Sequence, residues 1–430
     1  MSRNPLAPLS RRGALQLFRR RARSTALHIV LLATVACRVA GQRPELGALP
    51  RVGEAEISAR GLDVTRLEQQ VAGVLDRAAR DSAFPGAIAI VGTHSGILAQ
   101  HAVGTLDWRE SASPDARTLW DLASLTKVVA LTGAATILTE RGKLDLDAPV
   151  QRYLPEWRGG DKERVTVRHL LTHSSGLPSW RPLYKEASSP EGALRLVLET
   201  ALDTAPGARM VYSDLGAILL GQMVERISGT SLDKFVQANL FGPLGMAETR
   251  YRPPASLRRR IAPTEIDPWR QRHLRGEVHD ENAYALGGVS AHAGLFSTAA
   301  DLSRLARMYL NGGVLDGVRV LDSATIARFT AVQDPRLSHR ALGWETASGS
   351  NSGGGLMSPT AFGHTGFTGT SIWIDPGNDV FVLLLTNRVN PTRENRKIGG
   401  VRVALADAVM RVVRGCPPEA AVLECARSQR

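Results

Sequence analysis

A chain of 430 residues accommodates one large domain or two small ones, and 43% hydrophobic with 22% charged residues is the composition of a globular protein with ample core. The net charge of +12 is unevenly spread. Residues 1–43 carry nine arginines and no Asp, Glu or Lys, which leaves about +3 for the rest, too little for a nucleic-acid-binding domain.

The basicity belongs to a leader, residues 1–41, with the parts of an export signal. Arginine-rich residues precede an apolar run from Thr25 to Ala36, followed by small residues near Ala36–Gly41. A dozen apolar residues fall short of the ~20 that span a bilayer as a helix. Ser10-Arg11-Arg12 loosely matches a twin-arginine signal. Cys37, after Thr-Val-Ala, sits in an imperfect lipoprotein-type cleavage context. The expectation is an exported protein, periplasmic or extracellular, with membrane attachment through the N-terminus left open. The competing reading is a mis-set start codon that adds spurious residues.

Residues 42–61, rich in Pro, Gly and Ala, read as a linker, and 62–415 as the catalytic domain. From Leu62 to about Ala83, apolar Leu67, Val71, Val74, Leu75 and Ala78 recur at helical spacing. Ala87–Val91 and Ile97–Val103, joined by Gly92-Thr-His-Ser-Gly96, predict a hairpin. A mostly helical middle follows. β-like runs return at Ser371–Ile374 and Val380–Leu385, around the turn sequence Asp375-Pro-Gly-Asn-Asp379. A last amphipathic helix is predicted over 398–413. Ser348–Gly355, a cluster of Ser, Gly and Asn, predicts a mobile loop. Strands at both ends with helices between them predict an α+β fold, its antiparallel sheet built from both chain ends and flanked by helices, with a mostly helical second half-domain. In the tail, 416–430, Cys416 and Cys425 either close a small loop in an oxidising compartment or remain two thiols.

Ser124-Leu-Thr-Lys127 carries the first chemical signal. Three residues apart on a helix, Ser and Lys share one face. At a helix start the nucleophile's own N–H lacks an intrahelical partner and is available to an oxyanion. The apolar residues after Lys127 predict poor solvation and a lowered lysine pKa. The spacing alone is weak, because Ser231-Leu-Asp-Lys234 repeats it; Ser231 follows Gly229-Thr230 and reads as a helix N-cap. Company distinguishes the two. Tyr212-Ser213-Asp214 and His364-Thr365-Gly366 follow Ser124 in order. A tyrosine hydroxyl beside an ammonium can relay protons. Each alone has a plainer reading: Tyr212 as a core aromatic before a helix capped by Ser213 or Asp214, His364 as a structural hydrogen-bonder.

Together the three motifs resemble those of the serine β-lactamase / penicillin-binding-protein family, in the branch of class C β-lactamases, D-alanyl-D-alanine carboxypeptidases and β-lactamase-fold esterases. His169–Pro178, Gly242–Met246 and Gly294–Leu302 are similar to the same branch, and the resemblance spans roughly residues 65–412. It implies acylation of Ser124, shared acid and base roles for Lys127 and Tyr212, and a substrate pocket lined by Asp214, His364, Thr365, Gly366 and Phe367. The implied oxyanion hole uses the N–H groups of Ser124 and Phe367, with no metal or organic cofactor. The substrate is a D-alanyl cell-wall-type peptide or a small ester. Two departures weigh against an efficient β-lactamase. Asp214 stands where the family has Asn, and a carboxylate cannot donate to a substrate carbonyl. His364 replaces a lysine, which makes positive charge there conditional on pH.

His279-Asp-Glu-Asn282 reads as a surface loop or pocket wall, because adjacent side chains diverge and suit a metal poorly. His173, just before Gly176, reads as a helix-end residue favourable to the dipole. The alternatives are a true β-lactamase, a non-catalytic penicillin-binding or muropeptide-sensing domain, and a metallohydrolase using His279 and His292.

Overall fold

The computed structural model describes residues 49–348, 352–417 and 422–427. The leader, Cys37, the first part of the expected linker and the middle of the Ser348–Gly355 loop lie outside them. Within the expected linker, Glu54–Ala59 forms a helix (α1), and Arg51 bridges to Ile97. The segment is therefore docked onto the domain.

Helix α2, Val64–Arg80, starts at Asp63, whose side chain accepts the Arg66 N–H, and buries the five apolar positions that its periodicity marks. The predicted hairpin forms as β1, Gly86–Gly92, and β2, Ile97–Gly104. Three short strands, β3 (Trp120–Asp121), β4 (Arg250–Tyr251) and β5 (Leu295–Ser297), make a small sheet in the order β3-β5-β4. Near the C-terminus come β6 (Glu345–Thr346), β7 (Phe362–Thr365), β8 (Ser371–Asp375) and β9 (Val380–Thr386). The main sheet is antiparallel, in the order β6-β7-β8-β9-β1-β2. β1 pairs with β9 from Ala87↔Thr386 to Gly92↔Phe381, so the two chain ends meet at its centre.

Every residue of β1 and β9 is buried, because both sheet faces are covered. Alternation sorts them. Ala87, Ala89, Val91, Val382 and Leu384 pack under α2 and the C-terminal helix Ile398–Val413. Ile88, Ile90, Leu383 and Leu385 face the helical half of the molecule. The predicted α+β architecture is the observed one. Cys416 and Cys425 are joined in a disulfide, with Cα atoms 5.7 Å apart.

Candidate active site

Ser124 lies at the junction of the small sheet and the helical half. After β3 the chain turns sharply: Ala123 has φ +45°, a left-handed conformation that costs a residue with a Cβ. The next turn closes through the Lys127 N–H onto the Ser124 carbonyl, 3.0 Å, and residues 127–132 continue as a π-helix before α3, Gly133–Glu140. A wide turn of this kind is common at functional sites. Ser124 is half-buried and Lys127 fully buried.

The Lys127 Nζ donates to Ser124 Oγ at 3.1 Å and to the His292 carbonyl at 3.0 Å, and lies 2.7 Å from Asp214 Oδ1. Two accepting oxygens and a carboxylate in ion-pair contact surround the Nζ, the environment of an ammonium. Burial pushes the amine down, as the sequence suggests, but the Asp214 carboxylate and Tyr212 outweigh it and hold Lys127 above its ordinary value. The expected depression is thus reversed, by an acidic residue at the position where the family has an amide.

Tyr212 lies one residue before the N-cap Ser213 of the helix Asp214–Ser228, and the Ser213 hydroxyl takes the Gly216 N–H. The Tyr212 ring stands 4.9 Å from Lys127 Nζ and 5.8 Å from the His364 ring. Its hydroxyl is buried with no hydrogen-bond partner among the described residues. Against its other side lies His173, ring centroids 4.5 Å apart, whose Nδ1 accepts the Ser213 N–H at 3.1 Å. His173 has φ +57°, and burial holds its pKa well below the ordinary value. It is therefore a neutral prop for Tyr212, not the helix-end cation expected from sequence. The string Thr172-His-Ser-Ser-Gly176 carried that signal, but the role depends on a contact 40 residues away.

His364, on β7, donates from Nδ1 to the Thr365 carbonyl at 2.8 Å, which leaves Nε2 as a buried, unpartnered acceptor among the described residues. Burial, helped by Arg340 and Lys127 and only partly opposed by Glu345, lowers its pKa to about 4. The positive charge that the sequence allowed at this position is absent at neutral pH. Thr365 ends the strand, and Gly366 passes so close to the Leu122 carbonyl and the Thr370 hydroxyl that a Cβ would collide with both. Phe367 is 49% exposed and rests on the Arg388 guanidinium, 4.3 Å away. Neither the Ser124 nor the Phe367 N–H has a hydrogen-bond partner among the described residues.

Behind Lys127, His292 Nε2 meets Asp280 Oδ1 at 2.9 Å and Nδ1 meets Ser290 Oγ at 2.7 Å. Asp280 also caps the short helix Glu281–Ala285 by accepting the Ala283 N–H. Sequence reasoning placed Asp280 within a surface loop or pocket wall. In fact His279 and Asn282 are buried, and His279 Nε2 pairs with Glu265 at 3.0 Å. Ligand atoms of Asp214, Asp280 and His292 lie within 4.8 Å of one another, but the Lys127 ammonium already supplies the positive charge beside them. The second Ser/Lys pair differs sharply: Ser231 caps a helix in position, its hydroxyl donates to Asp233 at 2.6 Å, and Lys234 is exposed.

The beta-lactamase family model matches residues 65–406. The putative D-alanyl-D-alanine carboxypeptidase of Salmonella agona (strain SL483) is 34% identical over 312 residues, 65% of this chain and 72% of the relative. Among solved structures, a penicillin-binding protein homologue from Caulobacter crescentus superimposes with TM-score 0.67 at 21% identity, covering 81% of this chain and 97% of that one. EstCE1, a hydrolase with promiscuous acyltransferase activity, gives TM-score 0.66 at 22% identity, covering 81% and 99%. A family match over most of the folded region, around a serine, lysine and tyrosine brought together from separate elements, makes this chain a member of the beta-lactamase family, whose members are serine hydrolases.

Proposed function

We propose that the protein is an exported serine hydrolase that forms an acyl-enzyme on Ser124, acting on a D-alanyl cell-wall-type peptide or a small ester. One observation carries the assignment: the buried Lys127 ammonium joins Ser124 Oγ and the Asp214 carboxylate. The D-alanyl-D-alanine carboxypeptidase named for the relative supports the peptide class, and the neighbour's hydrolase and acyltransferase activity supports acyl transfer. The arginine-rich leader supports export.

Lys127 donates to Ser124 Oγ, so the serine proton points elsewhere. Tyr212, its hydroxyl otherwise unpartnered and beside the ammonium, relays that proton as Oγ attacks the scissile carbonyl: its oxygen takes the serine proton while its own proton passes to the leaving-group nitrogen or oxygen. The N–H groups of Ser124 and Phe367 receive the oxyanion. Collapse expels the amine or alcohol, which leaves with the proton from Tyr212. Water then attacks the ester carbonyl, gives up its proton along the same path, and releases the acid with Ser124 restored.

The test is mass spectrometry of the protein after a fluorophosphonate or penicillin probe, with turnover of a p-nitrophenyl ester and of an acyl-D-alanyl-D-alanine peptide alongside. A probe adduct on the Ser124 peptide with turnover of either substrate is expected. No adduct and no turnover would overturn the proposal.

A further inference from the structure

The residue three positions before the nucleophile has no part in the chemistry above, yet it is hydrogen-bonded to three separate segments around the site. Asp121 is buried. One carboxylate oxygen accepts the Ala123 N–H at 2.8 Å, and the other accepts the His279 N–H at 2.7 Å. The Thr368 hydroxyl donates to the Asp121 carbonyl at 2.7 Å, and Thr370 donates to the Leu122 carbonyl at 3.1 Å. Ala123 is the left-handed residue whose strain aims Ser124, and its own N–H is the one held. His279 precedes Asp280, which anchors His292 and through it the carbonyl that accepts from Lys127. Thr368 follows Phe367, the second oxyanion donor.

A buried carboxylate is expensive, and among the described residues this one has no ion-pair partner. Burial pushes Asp121 above the ordinary carboxylate range, while the two amide donors and His279 pull against that. A strained residue persists only where its surroundings over-determine it, and such strain gathers at functional sites. Here the Asp121 carboxylate holds the Ala123 N–H, while the Thr126 N–H holds its carbonyl and Thr370 the carbonyl before it.

We propose that Asp121 is a positioning residue for acylation, fixing Ser124, the Phe367 oxyanion donor and the Asp280–His292 support of Lys127 relative to one another. The proposal rests on the serine-hydrolase reading. It needs a carboxylate, since only two oxygens satisfy two converging N–H groups; an asparagine accepts one and turns its own N–H₂ toward the other.

The experiment measures inactivation of the full chain by a fluorophosphonate, resolving the limiting rate from the binding constant and normalising to titrated active sites. Asp121→Asn should acylate roughly 100-fold more slowly, the scale set by about 1 Å of misplacement, with the probe's binding constant within about two-fold of wild type. Thr368→Val, which loses only the donor to the Asp121 carbonyl, should slow acylation about five-fold. A merely structural Asp121 would lower the melting temperature and the fraction of titratable sites while each surviving site acylated at the wild-type rate; that result overturns the proposal. If Asp121→Asn does not fold, Thr368→Val decides, and an unchanged rate there overturns it. A wild-type protein that the probe never labels at Ser124 overturns the serine-hydrolase reading itself. A labelled wild type with unslowed variants overturns only the role of Asp121.

Discussion

Replacing Asp214 with asparagine tests the charge balance on which the site depends. Lys127 Nζ lies 2.7 Å from Asp214 Oδ1, with the lysine side chain 3% and the aspartate 18% exposed. At an effective dielectric of ~20 the bare attraction is about 6 kcal/mol. Taking two ions out of water offsets most of that, leaving ~2 kcal/mol, the scale of a hydrogen bond to a charged group. Burial already presses the lysine downward, and in Asp214→Asn it acts with less opposition. The lysine pKa should therefore fall by about 1.5 units or more. The sign follows from linkage. A lysine raised in the folded state contributes stability that is full below its unfolded pKa of about 10.4 and is lost as pH rises through the folded value. The variant loses that contribution at neutral pH, while Ser213 still caps the helix. For catalysis, Lys127 must stay charged to hold Ser124 Oγ, and Asp214→Asn lets it lose its proton at lower pH, so the alkaline limb of kcat/KM for a p-nitrophenyl ester should move down by at least one pH unit. The added amide should also raise β-lactam acylation relative to ester hydrolysis by a few-fold to about tenfold. A pH–rate profile superimposable on that of the wild type, in a variant that melts normally, would refute the assignment of Asp214 as counter-ion.

Ser124→Ala should abolish probe labelling and turnover, whereas Ser231→Ala should leave both within about two-fold, because the Ser231 hydroxyl is committed to Asp233 and loses at most one hydrogen bond; loss of labelling in the second variant alone would reverse the assignment. His364 titrates in the folded state at about 4, below its unfolded value of about 6.5, so the unfolded chain takes up its proton first and stability falls as pH drops between those values, by up to ~3 kcal/mol. Melting curves at pH 7 and pH 4.5 should show this loss, smaller in His364→Gln; an equal loss in the variant would place the proton elsewhere. Native protein should begin between Ala36 and Gly41, by N-terminal sequencing, and a start at Met1 would remove the export proposal.

Much of this protein was legible in its sequence because the signals are local. The short apolar runs Ala87–Val91 and Val380–Leu385, bounded by turn residues, mark strands, and Leu67, Val71, Val74 and Leu75 mark a helix face, whatever the rest of the chain does. Ser124, Lys127 and Tyr212 are found by the spacing of one motif and the order of three, since a helical turn puts Ser124 and Lys127 on one face. Sequence could not supply the charge states. Lys127 is raised, not lowered, because a carboxylate 87 positions along the chain folds to 2.7 Å from it. His364 and His173 are neutral because the fold buries both rings beside Tyr212. Asp121 gave no sequence signal, and Asp280 and His292 entered only as a loop or pocket wall and as a metal-ligand alternative, because their roles rest on hydrogen bonds that join segments up to 247 positions apart. A pKa and a hydrogen-bond partner are properties of surroundings, and the surroundings of a buried group are chosen by tertiary packing.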